Sequence, residues 1–224
     1  YVYFLDGDDY VSKDFLSIMR LKINESNADM IVWGYDTVDE NNTVQKKYFN
    51  KYHFEKESIS GIETIKKILS TKRELWIWTC SVLLKREIIE ENNLRYRTDI
   101  INGEDQEFNF KYIICCNKIL FIERVLSFYV QRRTSISSSF NLKKFDILTA
   151  IEEMIKCFEL KDKDNLINEI EYLSSYYYVD SFFQIYNKSL NFLVLNNSFN
   201  LKVTSNQLIK DIELIYSDVL KKVE

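Results

Sequence analysis

The sequence predicts an α/β fold: a mixed sheet through roughly the first 140 residues, followed by an all-helical C-terminal segment. Three observations predict it. Short apolar runs rich in β-branched and aromatic residues recur at Tyr1–Leu5, Ala28–Tyr35 and Trp76–Leu84. Such runs read as strands buried on both faces, which requires helices covering the sheet. Stretches of helical periodicity lie between them, and from about Asn141 onward only helical periodicity remains.

The first nine residues, Tyr-Val-Tyr-Phe-Leu-Asp-Gly-Asp-Asp, run from a predicted strand into an acidic turn holding Asp6, Asp8 and Asp9. Gly7 is expected to let the backbone turn tightly there. Carboxylates this close repel one another unless a positive group sits among them, whether a divalent cation, an Arg or a Lys, or unless water solvates them. Hard oxygen ligands favour Mg²⁺, Mn²⁺ or Ca²⁺ over zinc or copper. The plainer alternative is a solvated turn in which Asp9 caps the following helix. Ligands in α/β sheets bind at the carboxyl ends of strands, which is where this turn lies.

Ser12 is a candidate N-cap for a helix carrying Phe15, Leu16, Met19 and Ile23. Ala28–Tyr35 is the second strand, with Gly34 at a close approach. Glu40-Asn-Asn42 is a turn, and Thr43–Phe49 a hairpin arm. Ser60–Ser70 reads as a helix, Trp76–Leu84 as a strand, and Lys85–Asn92 as a short helix. Asn102-Gly-Glu-Asp105 then opens a helix through Cys116 and sets Glu104 and Asp105 at its N-terminus, where capping and the macrodipole alone favour acids. Lys118–Glu123 and Val125–Gln131 read as two closing strands. Arg132-Arg133-Thr-Ser135 follows, a basic turn suited to phosphate or to solvent. Helices are predicted near 142–160, 164–188 and 204–222. Tyr172, Tyr176, Tyr177, Phe182, Phe183 and Tyr186 crowd the middle one, as core, a dimer contact or an acceptor groove.

Composition narrows the function. The chain has 224 residues, 46% of them hydrophobic and 29% charged, as in a soluble globular protein. A formal net charge of -4 gives no reason to expect nucleic-acid binding. The four cysteines lack CxxC spacing and His53 is the sole histidine, which disfavours zinc, thioredoxin-like and Ser-His or Cys-His chemistry. Free buried thiols in a reducing compartment are expected. No apolar run has the length of a membrane span, and no stretch reads as a signal peptide. Proline is absent and glycine occurs four times, so Gly7 and Gly103 inside acidic motifs carry weight. The chain opens inside a predicted strand and is expected to be part of something longer.

With both acidic motifs in view, the chain resembles family 2 glycosyltransferases of bacterial surface-polysaccharide assembly, which have the GT-A, Rossmann-like fold. The resemblance is carried by the DxD-type motif in Phe4-Leu-Asp-Gly-Asp-Asp9, the Ala28–Tyr35 strand and the Trp76–Arg86 stretch. Gly103-Glu-Asp105 and Tyr129-Val-Gln-Arg-Arg-Thr-Ser135 complete it. It covers about residues 1–138; residues 142–224 show no family motif, and the half that cradles the nucleotide base, which precedes the DxD strand in that family, is missing. The resemblance implies a catalytic domain part over 1–140 and a helical region over 141–224. It implies that Asp6 and Asp8 bind the ribose and metal of a nucleotide-sugar, with Mn²⁺ or Mg²⁺ on Asp8, and that Asp105 is the catalytic base of an inverting, hexosyltransferase-like reaction. Arg132 and Arg133 are candidates for the diphosphate. A saccharide or lipid-linked acceptor follows, as does a cytoplasmic location, including the inner face of the membrane. Taken alone the chain is expected to be inactive and to self-associate. The competing expectations are a haloacid-dehalogenase-like, Mg²⁺-dependent phosphotransferase and a non-enzymatic helical interaction module.

Overall fold

The computed structural model describes residues 1–71, 74–132, 141–197 and 201–216. The chain divides into two compact units, Tyr1–Tyr96 with Phe108–Ser135, and Arg97–Glu107 with Ile136–Glu224.

The first unit is built on a six-stranded mixed sheet. Its strands are β1 (Tyr10–Val11), β2 (Met30–Val38), β3 (Val44–Lys46), β4 (Ser58–Ile59), β5 (Val82–Leu84) and β6 (Ile119–Val130). The two long strands, β2 and β6, run parallel at the centre, with Met30 opposite Ile119 and Val38 opposite Val130. β5 and β3 pair antiparallel along the far edge of β2, and β4 and β1 along the far edge of β6. The two closing strands expected at the end of this unit are one strand, β6. Its register against β2 shifts on both sides of Gly34, so the chain bends without breaking. Gly34 is where a side chain would meet the Phe49 ring at 2.5 Å, the close approach its position implied.

Helix α1 (Phe15–Ser26) buries Phe15 and Met19 against Ile31, Trp33, Leu83, Leu120 and Leu126. Ile18 and Ile23 complete that stripe, whereas Leu16, expected within it, points to solvent at 79% exposure. Ser12 is not the cap: it donates to the Asp14 carboxylate at 2.8 Å, and no side chain caps the helix. Helix α2 (Gly61–Ser70) has a complete capping box, Ser60 Oγ accepting from the Glu63 N–H at 3.2 Å and Glu63 Oε2 from the Ser60 N–H at 3.0 Å. With so few glycines, left-handed turn positions fall to Asn27, Asn42 and Asn93. Helices α3 (Arg86–Glu91) and α4 (Glu104–Ile113) complete the elements up to β6; the first turn of α4 counts with the second unit.

The Tyr1–Leu5 run is not the buried strand expected of it. Only Val2 pairs, as a single antiparallel bridge to Leu84 at the end of β5. Tyr1, Phe4 and Leu5 remain about two-fifths exposed, although the Tyr1 hydroxyl is anchored on the Ala28 carbonyl at 2.6 Å.

The second unit consists of α5 (Asp146–Asp162), α6 (Ile167–Glu171), α7 (Tyr178–Asn197) and α8 (Leu201–Ile215), with a π-helical turn at Tyr172–Tyr177 joining α6 to α7. Its core includes Phe145, Leu148, Ile151, Met154, Phe158, Leu173, Leu208 and Ile212. The aromatic cluster divides: Tyr177 and Phe182 enter the core, while Tyr176 and Phe183 face solvent. Residues 97–107 join this unit through Asp146, whose Oδ2 accepts the Ile101 N–H at 2.9 Å and whose Oδ1 accepts the Tyr216 hydroxyl at 2.5 Å. Among the described residues no helix is long and apolar enough to cross a membrane.

Candidate active site

The acidic turn is closed by the Asp9 N–H donating to the Asp6 carbonyl at 3.1 Å. Gly7 sits at its tip with an ordinary φ, and a Cβ there would meet nothing within 4 Å, so the tight turn does not demand glycine. Asp6 and Asp8 are exposed. Asp9 does not cap a helix. It is buried, its Oδ1 accepts the Val130 N–H at 2.9 Å, and its Oδ2 has no hydrogen-bond partner among the described residues. Burial pushes the Asp9 carboxyl up to about 6; the Val130 N–H opposes that shift, and the charges of Asp6 and Asp8 add to it.

The positive group that the turn needs is Arg132, whose Nε lies 3.3 Å from Asp8 Oδ2. It stands two residues past the end of β6, so the Asp9–Val130 bond and the Asp8–Arg132 pair bind the turn to one strand end. Arg133 lies outside the described residues. On the same strand, Ser127 Oγ donates to the Cys80 carbonyl at 2.6 Å and accepts the Trp33 indole N–H at 2.5 Å. The Tyr3 hydroxyl reaches the same carbonyl at 3.0 Å, and burial lifts its pKa to about 12. These contacts hold Tyr3, three residues before Asp6.

Asp105 occupies the first turn of α4, half-buried, between Glu104 and Gln106. That turn is set by Gly103, whose φ of +95° lies in the region that favours glycine. A Cβ on Gly103 would stand 2.6 Å from Ile147 Cδ1 and 2.9 Å from Ala150 Cβ, so the close approach to α5 demands glycine a second time. The Gln106 side chain accepts the Tyr177 hydroxyl at 2.7 Å. Glu104 Oε2 is buried with no hydrogen-bond partner among the described residues.

The sequence points to Asp6, Asp8, Asp105 and Arg132, but not to the inward role of Asp9, nor to Trp78, Tyr129 or Asn109. Asn109 is buried in the first unit, donates to Thr79 Oγ1 at 3.3 Å and leaves its own Oδ1 without a partner among the described residues. Its signal is a polar residue set between Phe108 and Phe110. Among the described residues no three His, Cys, Asp or Glu side chains converge to hold a metal ion.

No protein-family model matches this sequence. Among curated proteins the chain is similar to glycosyltransferases. It is 25% identical over 205 residues to a cholesterol galactosyltransferase of Borreliella burgdorferi, covering 85% of this chain and 54% of that protein. It is 26% identical over 143 residues to glycosyltransferase GlyA of Streptococcus pneumoniae, covering 61% and 20%. It is likewise 26% identical over 114 residues to the poly(ribitol-phosphate) β-N-acetylglucosaminyltransferase TarP of Staphylococcus aureus, covering 51% and 32%. The chain thus spans about half or less of the length of these relatives. Among solved structures, residues 1–349 of S. aureus TarS in complex with UDP-GlcNAc match with a TM-score of 0.61 at 15% identity, over 99% of this chain and 59% of that one. The mixed sheet followed by C-terminal helices is therefore a fold shared with TarS.

Proposed function

We propose that this chain is part of an inverting glycosyltransferase of the GT-A type, which moves a hexose-type sugar from a nucleotide-sugar donor to a saccharide or lipid-linked acceptor in bacterial surface-polysaccharide synthesis. The observation that carries the reading is the acidic turn itself, with Asp6 and Asp8 exposed and Arg132 drawn onto Asp8, on a fold shared with TarS. We further propose that the activity belongs to a longer chain and that these residues alone do not complete it.

In this reading Asp6 accepts hydrogen bonds from the ribose hydroxyls. Arg132 offers a planar donor set to the diphosphate, the group on which negative charge develops as the donor bond breaks. Asp105 takes the proton from the acceptor hydroxyl as its oxygen bonds to the anomeric carbon and the carbon–phosphate-oxygen bond on the opposite face breaks. No side chain of the protein becomes covalently attached to the sugar. Exposed carboxylates on Asp8 and Asp6 are a donor set suited to Mg²⁺ or Mn²⁺ that substrate oxygens complete. Such an ion would supply neutralisation of the diphosphate leaving group.

Thermal unfolding of the complete enzyme that contains this chain, with Mn²⁺ and UDP-, GDP- or dTDP-sugars, tests the proposal. At least one donor is expected to raise the midpoint in the parent, since ligand at about 100 times its Kd adds about 2.7 kcal/mol. Asp8→Ala should lose the response. A parent protein that responds to none of the three classes overturns the reading.

A further inference from the structure

Trp78 is 39% exposed, yet its backbone lies in a segment tied by several hydrogen bonds. Its carbonyl accepts both the Ser81 N–H at 2.9 Å and the Ser81 hydroxyl at 3.0 Å. On either side, the Trp76 carbonyl accepts the Tyr48 hydroxyl at 3.3 Å, and Thr79 Oγ1 accepts from buried Asn109 at 3.3 Å. The Cys80 carbonyl accepts Ser127 and Tyr3. The exposed indole is thus carried on a backbone fixed by hydrogen bonds on both sides.

The ring is also oriented. It stacks on Tyr129, with centroids 5.8 Å apart and planes at 24°, and meets Tyr35 edge-on at 6.1 Å and 72°. Tyr129 precedes Val130, the residue that holds Asp9, and comes three positions before Arg132 on the same strand end. The Tyr129 phenol feels the acidic turn: burial raises its pKa most, and Asp9, Asp8 and Asp6 each raise it further. The Trp78–Tyr129 stack is thus built on the strand end that carries the acidic turn. A wholly apolar partner would have to bury the exposed Asp6 carboxylate and the Asp8–Arg132 pair, at a heavy desolvation cost. A pyranose does not, because its C–H face is apolar while the hydroxyls around its rim are donors that carboxylates accept.

We propose that Trp78, stacked on Tyr129, is a platform for a pyranose ring beside the acidic turn. The inference rests on the sugar-transfer reading for its role, and the ring belongs either to the donor's sugar or to the acceptor.

Saturation-transfer NMR on the complete enzyme that contains this chain tests this, with Trp78→Ala and Trp78→Phe beside the parent and far-UV circular dichroism confirming that each is folded. The probes are the methyl β-glycosides of glucose, galactose and N-acetylglucosamine, together with UDP-GlcNAc and UDP. Pyranose ring protons are expected to saturate in the parent, to lose about fivefold in Trp78→Ala, and to be largely retained in Trp78→Phe. Loss on the free glycosides assigns the platform to the acceptor; loss confined to the sugar of UDP-GlcNAc assigns it to the donor. Saturated glycosides with UDP failing to bind would keep the platform and sink the nucleotide-sugar reading. The inference is overturned if the parent saturates no pyranose, if Trp78→Ala saturates as the parent does, or if uracil protons alone depend on Trp78.

Discussion

Asp9 Oδ1 accepts the Val130 N–H at 2.9 Å, which fastens the acidic turn to the last residue of β6. The bond satisfies a strand-end donor, but it places a carboxylate where its second oxygen finds no hydrogen-bond partner among the described residues. Such a group is destabilising when charged and tolerable when protonated.

This fixes the sign of a pH dependence. Burial holds the folded-state pKa of Asp9 at about 6, above the ordinary aspartate value of 3.8, so between those values the folded chain holds a proton that the unfolded chain has released. The Asp9 contribution to stability therefore falls as pH rises from about 4 to about 6, by up to about 3 kcal/mol. The groups facing it are Asp6, Asp8, Tyr3 and Tyr129, with Arg132 held on Asp8. Asp9→Asn keeps an acceptor for Val130 and removes the titration. Urea unfolding of both proteins from pH 4.5 to 7.5, without added metal, should show Asp9→Asn gaining on the parent as pH rises. A constant difference across that range would disprove the assignment.

The two motif glycines should behave oppositely. Gly103→Ala forces a Cβ at φ +95° into Ile147 and Ala150, and about 2–4 kcal/mol of stability should be lost. Gly7→Ala meets nothing within 4 Å and has an ordinary φ, so its stability should stay within about 0.5 kcal/mol of the parent. Thermal or urea unfolding reads both. If Gly7→Ala keeps its stability but weakens donor protection, the space above Gly7 serves the ligand and not the fold.

Much of this architecture is legible in local pattern. The α2 helix, β2 and the helical C-terminal region each announce themselves through spacing within a dozen residues, because one face or both must be buried. The Asp8–Arg132 and Asp9–Val130 links join distant parts of the sequence through the sheet order, which no local period encodes. The same holds for 97–107, whose place with the helices depends on Asp146 and on the fit of Gly103 against α5. Tyr1–Leu5 reads as a buried strand from composition alone, yet burial depends on how many neighbours the ladder provides, and β5 provides one bridge. Leu16 misleads for a simpler reason: one residue is 100° of helix, enough to carry it off the stripe of Phe15 and Met19.

Asp105→Asn separates a base from a cap. The substitution keeps size and much of the capping capacity at the start of α4. In a complete enzyme, transfer should fall by about 10²–10⁴-fold with donor binding and unfolding midpoint near those of the parent. A variant with normal activity per folded molecule but a lowered midpoint would make Asp105 purely structural. Glu104→Gln serves as the comparison and should affect rate less.

Arg132 holds Asp8 before any ligand arrives, and this makes its removal act in two directions. The pair is exposed on both sides, so breaking it should change stability by no more than about 1 kcal/mol. Without the guanidinium, Asp8 loses the cation that competes with a metal ion for its carboxylate. Mn²⁺ binding without nucleotide, read by electron paramagnetic resonance, should therefore tighten by about two- to fivefold in Arg132→Ala. Binding of the donor diphosphate should weaken, because the same guanidinium is the group proposed to meet it. Asp8→Ala should weaken both. If Arg132→Ala changes Mn²⁺ and donor affinity in the same direction, Arg132 does not pass from carboxylate to phosphate, and its contact with Asp8 is only a surface ion pair.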